Sequence, residues 1–423
     1  TSMGAIGIGN TTKLSERSFL KSTIALVSQK LDHKDDTLNK SGDHFNTGKE
    51  KYNTGRLSFS SAYHLKFSPI VNMKTGVYAS NIHYGLNRQQ IDFNTGNMIN
   101  PINSKGNSLL LQPYWQMNFK PGKWTVNPGL HLMYLGLNKK TTLDPRLSVQ
   151  YKISPVQNIS LAYGLHSKML PIGSYFFQQG PGYPNKNLDM MRSHHFILAF
   201  DRLLGKGWRF SAEAYYQRLF NIPIINDENR TFWILNELEG YATQALVSKG
   251  KGTNKGIDLV IEKFFNKGLF TIAAFSIFRS TYQPLNGKEY NTRFNSGSTG
   301  SWTGAKEWKL KKNKVIQVGW KMIYNGGLPL TPLANIQNNS REAILDESRP
   351  YSEKVPAYFR TDARISLLKN KVKSSWQLAI DIQNVLGLKN TDGLSRRYDP
   401  SVNQWIYKEQ SGFVPILSYQ VDF

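Results

Sequence analysis

Segments of ten to fifteen residues that alternate between apolar and polar side chains recur from one end of this chain to the other, broken only by turn residues. In RLSFSSAYHLKF, Leu57, Phe59, Tyr63, Leu65 and Phe67 share one face, and Ser58, Ser60, His64 and Lys66 the other. LQPYWQMNF, WTVNPGLHLMY, RLSVQYKI, WRFSAEAYYQ, FRTDARISL and WQLAIDIQ repeat the pattern. So does the closing SGFVPILSYQVDF, which ends the chain on an aromatic residue. A period of two is a β-strand with one apolar face. Strands of soluble proteins run to about five or six residues, and these are about twice that.

The connections alternate as strictly as the side chains. Short turns such as FKPGKW, SPVQN, LLGKGW, FFNKG, KLKKNK and LKNKVKSS take turns with long polar stretches at 33–55, 170–192, 221–252, 282–295, 326–356 and 387–411. Short turns on one side and long loops on the other describe a transmembrane antiparallel β-barrel, all-β, whose apolar face meets lipid and whose polar face lines the lumen. A closed barrel also satisfies every backbone group within the bilayer. Trp124, Trp208 and Trp376 open strands just after short turns, and with the terminal Phe423 they belong to an interfacial aromatic girdle.

Composition narrows the alternatives. The 423 residues contain no Cys, so a disulfide framework, a cysteine metal site and a thiol nucleophile are excluded. The best apolar run, GLFTIAAFSIF, is about half the roughly 20 residues of a helical span. The net charge of +24 suits nucleic acid or an anionic membrane surface. Its pattern favours the membrane: Lys120, Lys123, Lys206, Lys267, Lys309, Lys311, Lys312, Lys314, Lys369, Lys371 and Lys373 all sit at short turns. No helix or aromatic platform for nucleic acid accompanies them, although plain solvation of turns explains them equally.

About 17 strands can be counted. Bacterial single-chain barrels have even strand numbers, and an odd antiparallel count leaves both edges running the same way. The expectation is one barrel domain over residues 1–423, truncated at its N-terminus.

In order and spacing, NGGLPLTPLANIQNNS, VPAYFRTDARISL, WQLAIDIQNVLGLKN, RYDPSVNQW and PILSYQVDF resemble the last strands of TonB-dependent outer-membrane receptors of the Bacteroidetes type. LDPRLSVQYKISPVQNISLAYG, RSHHFILAFDRLL, AEAYYQRLFNIPI and GKGTNKGIDLVIEKFFNKG resemble the middle strands of the same family. The resemblance implies a 22-stranded barrel in the bacterial outer membrane, plugged by an N-terminal domain that precedes this segment. It implies import of a scarce nutrient, driven through TonB, with outer-membrane lipid and lipopolysaccharide around the barrel. The ligand class stays open between siderophore, cobalamin, glycan and peptide, with or without a surface lipoprotein as partner. A passive porin is the alternative reading, since porins have 16–18 strands; an adhesin or enzyme would need a constellation this chain lacks.

No catalytic site, metal site or cofactor is expected. His194 and His195 are adjacent and face opposite sides of a strand. GKGTNKG lacks the spacing of a phosphate loop and reads as a loop entering a strand. Arg360, Asp362, Arg364 and Asp381 read as a lumen charge ladder across neighbouring strands. PIGSYFFQQGPGYP concentrates Tyr175, Phe176, Phe177 and Tyr183 in one exterior loop, and a second loop carries Phe232, Trp233 and Tyr241. Aromatics at that density either meet a ligand or pack the loops closed; Tyr175, Phe177 and Trp233 are the candidate ligand contacts.

Overall fold

Alternating sequences pair wherever tight turns bring them together, and here one ladder runs the length of the chain. The computed structural model describes residues 1–38, 42–92, 95–237, 241–334, 345–399, 404–410 and 412–423. Residues 335–340 of NGGLPLTPLANIQNNS and 400–403 of RYDPSVNQW lie outside them. The strands in order are β1 (Ser2–Ser15), β2 (Ser18–Leu38), β3 (His44–Ser68), β4 (Val71–Ile91), β5 (Met98–Phe119), β6 (Trp124–Leu135), β7 (Lys140–Ser154), β8 (Gln157–Lys168), β9 (Met191–Gly205), β10 (Trp208–Ile225), β11 (Leu246–Asn266) and β12 (Leu269–Gln283). Five further long strands follow: Ser298–Leu310, Lys314–Asn325, Tyr358–Asn370, Ser375–Gln383 and Val414–Asp422. Each pairs antiparallel with its neighbours in sequence. The two-residue strand Tyr290–Asn291 on the margin of β12 brings the sheet to 18 strands. Because the long strands number seventeen, the two edges run in the same direction and cannot pair antiparallel with each other.

Two-residue hairpins with a type I′ turn need both central residues at positive φ, so that the turn twists with the strands. Lys206–Gly207 (φ 50° and 81°) and Lys267–Gly268 (φ 51° and 75°) meet that need.

The outer face is read from the register. Leu161 pairs with Leu198, Leu198 with Ala214, Ala214 with Ile257 and Ile257 with Ile277, a continuous apolar row over five strands. Val318, Ile365, Ile380 and Leu417 make a second row. All but the half-buried Val318 are exposed, Leu161 by 62% and Leu417 by 71%. At roughly 25 cal/mol per Å², such a belt is stable only against lipid. The inner face is polar: Asn118 donates to Asn127 (2.5 Å) and Asn127 to Ser148 (3.0 Å), a hydrogen-bonded row across three strands.

The amphipathic pattern inverts partway up β2–β5. On β4 the outer face reads Val71, Met73, Thr75, Val77 and Ala79, then turns polar at Asn81, His83 and Asn87. The inner face reads Asn72, Lys74 and Gly76, then turns apolar and buried at Ile82, Tyr84 and Leu86. β3 changes at the same height, with Leu57 the last apolar outer residue before Asn53, Lys51 and Lys49, and Tyr52 buried inside. β5 does so above Leu109. These strands have 21 to 25 residues, against the 9–11 that span a bilayer, so their upper halves stand clear of the membrane. There water wets the outside and the loops pack the inside.

This corrects the reading of 33–55 as a loop. Apart from a short connection the stretch is the top of the β2–β3 hairpin, with Leu31 opposite Tyr52, Asp32 opposite Lys51 and His33 opposite Glu50. It lacks a greasy outer face because no lipid reaches it. The loop expected at 221–252 likewise shortens to 226–245, since β10 continues to Ile225 and β11 begins at Leu246.

Candidate functional site

Loops 169–190 and 226–245 fold back onto the apolar upper inner face and make the one large hydrophobic cluster among the described residues. Ile82, Tyr84, Leu86, Ile102, Met133 and Leu135 form its floor on β4–β6, and Ile222, Ile224 and Tyr282 on β10 and β12. A bulge at Asn221, with φ 56°, shifts the β10 register between Leu219 and Ile222. Both isoleucines beyond it are buried.

Tyr175 has 0% exposure and its hydroxyl accepts the Leu170 N–H at 3.1 Å. Burial pushes its phenol up to about 12. Phe176 packs on Tyr84 (4.8 Å between centroids) and Tyr183 (5.6 Å). Phe177 is half-buried and makes a bridge to Ile102 of β5. The loops meet where Tyr241 lies over Gly173: a Cβ there would come within 2.3 Å of the ring. Asn185, fully buried, donates to the Gln244 carbonyl and accepts the Leu246 N–H, both at 2.8 Å, and so ties the first loop to the end of the second.

Trp233 is 2% exposed, stacks on Tyr282 at 5.2 Å, and lies over the glycines of GKGTNKG. That motif is not a loop but part of β11. Its glycines face inward because ring systems need the room: a Cβ on Gly250 or Gly252 would meet the indole at 2.8 and 3.1 Å, and one on Gly256 would meet the Tyr215 hydroxyl at 2.7 Å.

Trp233 also walls two cavities. One, of about 490 Å³, is lined by Tyr215, Gln217, Asn254, Ser280, Phe294 and the paired carboxylates Glu213 and Asp258, which are register partners on β10 and β11. A relay of hydrogen bonds follows its wall: Thr292 to Ser280 (2.8 Å), Ser280 to Asn254 (2.7 Å) and Asn254 to Gln217 (3.0 Å). The second, of about 300 Å³, lies between Trp233, Tyr241, Arg230, Glu347 and Tyr351. Tyr175 and Trp233 thus share a cluster, whereas Phe177 stands at its margin.

The four charged residues of the expected ladder divide into two ion pairs. Arg360 grips Asp362 two residues along the same strand at 2.7 Å, and Asp362 also accepts the Asn384 N–H at 2.9 Å. Arg364 meets its register partner Asp381 across strands at 2.8 Å. His194 stacks on Phe220, while His195 lies tilted against His166 on the other face of the sheet. No metal-ligating group of three or more side chains occurs among the described residues.

Residues 9–385 match the family described as TonB dependent receptor-like, beta-barrel. No curated protein matches. Among solved structures, the chain superposes on the ferric-catecholate import receptor Fiu of Escherichia coli K12 with TM-score 0.68 at 10% identity, covering 99% of this chain and 63% of Fiu. On the ferric yersiniabactin uptake receptor FyuA of Yersinia pestis it gives 0.68 at 12%, covering 100% and 61%. On the outer membrane transporter YddB of Escherichia coli it gives 0.66 at 13%, covering 99% and 62%. The chain therefore spans less than two thirds of the length of these structures, and at such identities they share its fold alone.

Proposed function

The chain belongs to the TonB-dependent receptor family as its outer-membrane β-barrel, and from that premise we propose that the protein it forms part of captures a scarce nutrient at its outer loops and imports it into the periplasm. TonB supplies the energy through a plug domain outside this segment, and further strands join the two edges. Such a protein is a receptor and transporter, not an enzyme.

The observation that carries this reading is the chamber beneath Trp233. An aromatic wall, a relay of hydroxyl and amide groups and two carboxylates with no ion pair among the described residues suit a polar ligand that is neutral or cationic. Trp233 is the contact side chain, whereas Phe177, bridged to Ile102 of β5, is not among the residues that line the chamber. Tyr175 acts as the buried support that holds its loop in place.

The test is growth of the native host on single limiting sources of iron, cobalamin, glycan or peptide, with the intact receptor carrying Trp233→Ala or Asn254→Ala. Both variants should lose the same one source, and a tonB deletion should lose it too. Wild-type growth on every source, with the barrel present in the outer membrane, would refute the proposal.

A further inference from the structure

Outward from the apolar row Ala214–Ile257–Ile277, the next outer-facing side chains on β10, β11 and β12 are Tyr216, Lys255 and Arg279, side by side in register. Arg218 follows on β10, opposite Thr253, and Lys251 lies beyond Thr253 on β11. Arg218, Lys251, Lys255 and Arg279 are all exposed. The acidic residues of these three strands, Glu213, Asp258 and Glu262, take the inner face: the first two line the chamber and Glu262 meets Arg209. One carboxylate from outside the strands, Glu289, reaches Arg279. Beside the patch, Tyr163, Phe196 and Tyr216 form an aromatic row on β8–β10, with centroids 5.1 and 6.4 Å apart.

We propose that this patch binds a phosphorylated saccharide lipid of the outer leaflet through its phosphate groups. Read outward, the side chains run apolar, aromatic, cationic, the order in which a lipid presents acyl chain, interface and phosphate. Neighbouring strands lie about 4.8 Å apart and diagonal neighbours about 7–8 Å, so Lys255, Arg279 and Arg218 converge on one headgroup. Guanidinium forks match phosphate oxygens two at a time. The patch is on the rim opposite the Lys-rich short turns, so the general attraction of those turns to anionic lipid does not account for it. The inference rests on the outer-membrane location and not on transport, and it can fail while uptake succeeds.

The experiment is native mass spectrometry of the intact receptor in detergent with added bis-phosphorylated lipid A, dephosphorylated lipid A, and inorganic phosphate as competitor. The variant Arg218→Gln/Lys255→Gln/Arg279→Gln should hold bis-phosphorylated lipid about 100-fold more weakly, at roughly fivefold per cation. Both proteins should bind the dephosphorylated lipid alike. The turn variant Lys120→Gln/Lys123→Gln/Lys311→Gln should match the wild type, and millimolar phosphate should not displace the lipid. Should the triple variant not fold, Lys255→Gln alone should give the fivefold loss. Binding within twofold of wild type in the patch variants, an equal loss in the turn variant, or displacement by free phosphate would each overturn the proposal.

Discussion

Replacing Gly250 by Ala measures how tightly loop 226–245 is docked. The new Cβ would lie 2.7 Å from the Ile224 side chain, 2.8 Å from the Ile222 carbonyl oxygen and 2.8 Å from the Trp233 ring, where ordinary contacts are about 3.5–4.0 Å. The carbonyl belongs to the ladder and the isoleucine is buried on that strand, so the indole must yield and its loop with it. Overpacking of this kind costs about 1–3 kcal/mol. At about 2 kcal/mol the undocked fraction rises about thirtyfold. Trypsin cutting after Arg230, an exposed residue of the loop, follows that fraction where reclosing outpaces cleavage. The expected result is cleavage about thirtyfold faster, with barrel melting unchanged. Gly182→Ala, in the neighbouring loop with open space around it, should leave the rate alone. Adding Trp233→Leu to Gly250→Ala should leave the two changes non-additive, since they act at one contact. A Gly250→Ala rate within twofold of wild type would refute the account of the motif as a seat for the indole.

Two further outcomes are expected. Ile380→Arg, on the outer apolar row, should destabilise the barrel by roughly 2–4 kcal/mol, whereas Asp381→Asn, which weakens a half-exposed pair with Arg364, should cost no more than about 1 kcal/mol; equal denaturant midpoints would contradict the assignment of faces. Asn185→Ala strands the Gln244 carbonyl and the Leu246 N–H at about 1–3 kcal/mol per buried group, so hydrogen exchange at the Leu246 amide should quicken at least tenfold, and unchanged exchange would show that the tie does not hold the loops.

Period-two alternation carried the fold because, within the bilayer, lipid and lumen impose opposite demands on adjacent residues. Leu378 and Ile380 outside against Asp381 inside is legible for that reason. The same rule misleads at 33–55, where the environment around the strand has changed and Lys49, Lys51 and Asn53 replace the greasy face. The aromatic loops stand out in the sequence, but their direction does not: Tyr84, Ile82 and Leu86 must be recognised as an inward apolar face before a loop can be seen to fold onto them. A usable signal was present in Gly250, Gly252 and Gly256. Glycines at even spacing on one face of a strand mark a close approach, and the bulky partners Trp233 and Tyr215 could have been sought. The bulge at Asn221 left only the run Asn221-Ile222-Pro223-Ile224-Ile225, where continuous apolar residues give no phase.

The position of Trp233 couples two properties of the site. Its indole is held by Gly250, Gly252 and Tyr282, and the same ring walls both the chamber on the inner sheet face and the space beneath the loops. A ligand that touches it therefore binds the docked arrangement more tightly than the undocked one, and by linkage it strengthens docking by the same factor. Glu213 and Asp258 face one another on the ladder and line the chamber, and like charges directly opposite are destabilising. A ligand that brings positive charge relieves that repulsion while it packs against the indole. Both contacts belong to one cavity, so binding beside the carboxylates is felt in the loops through a single side chain.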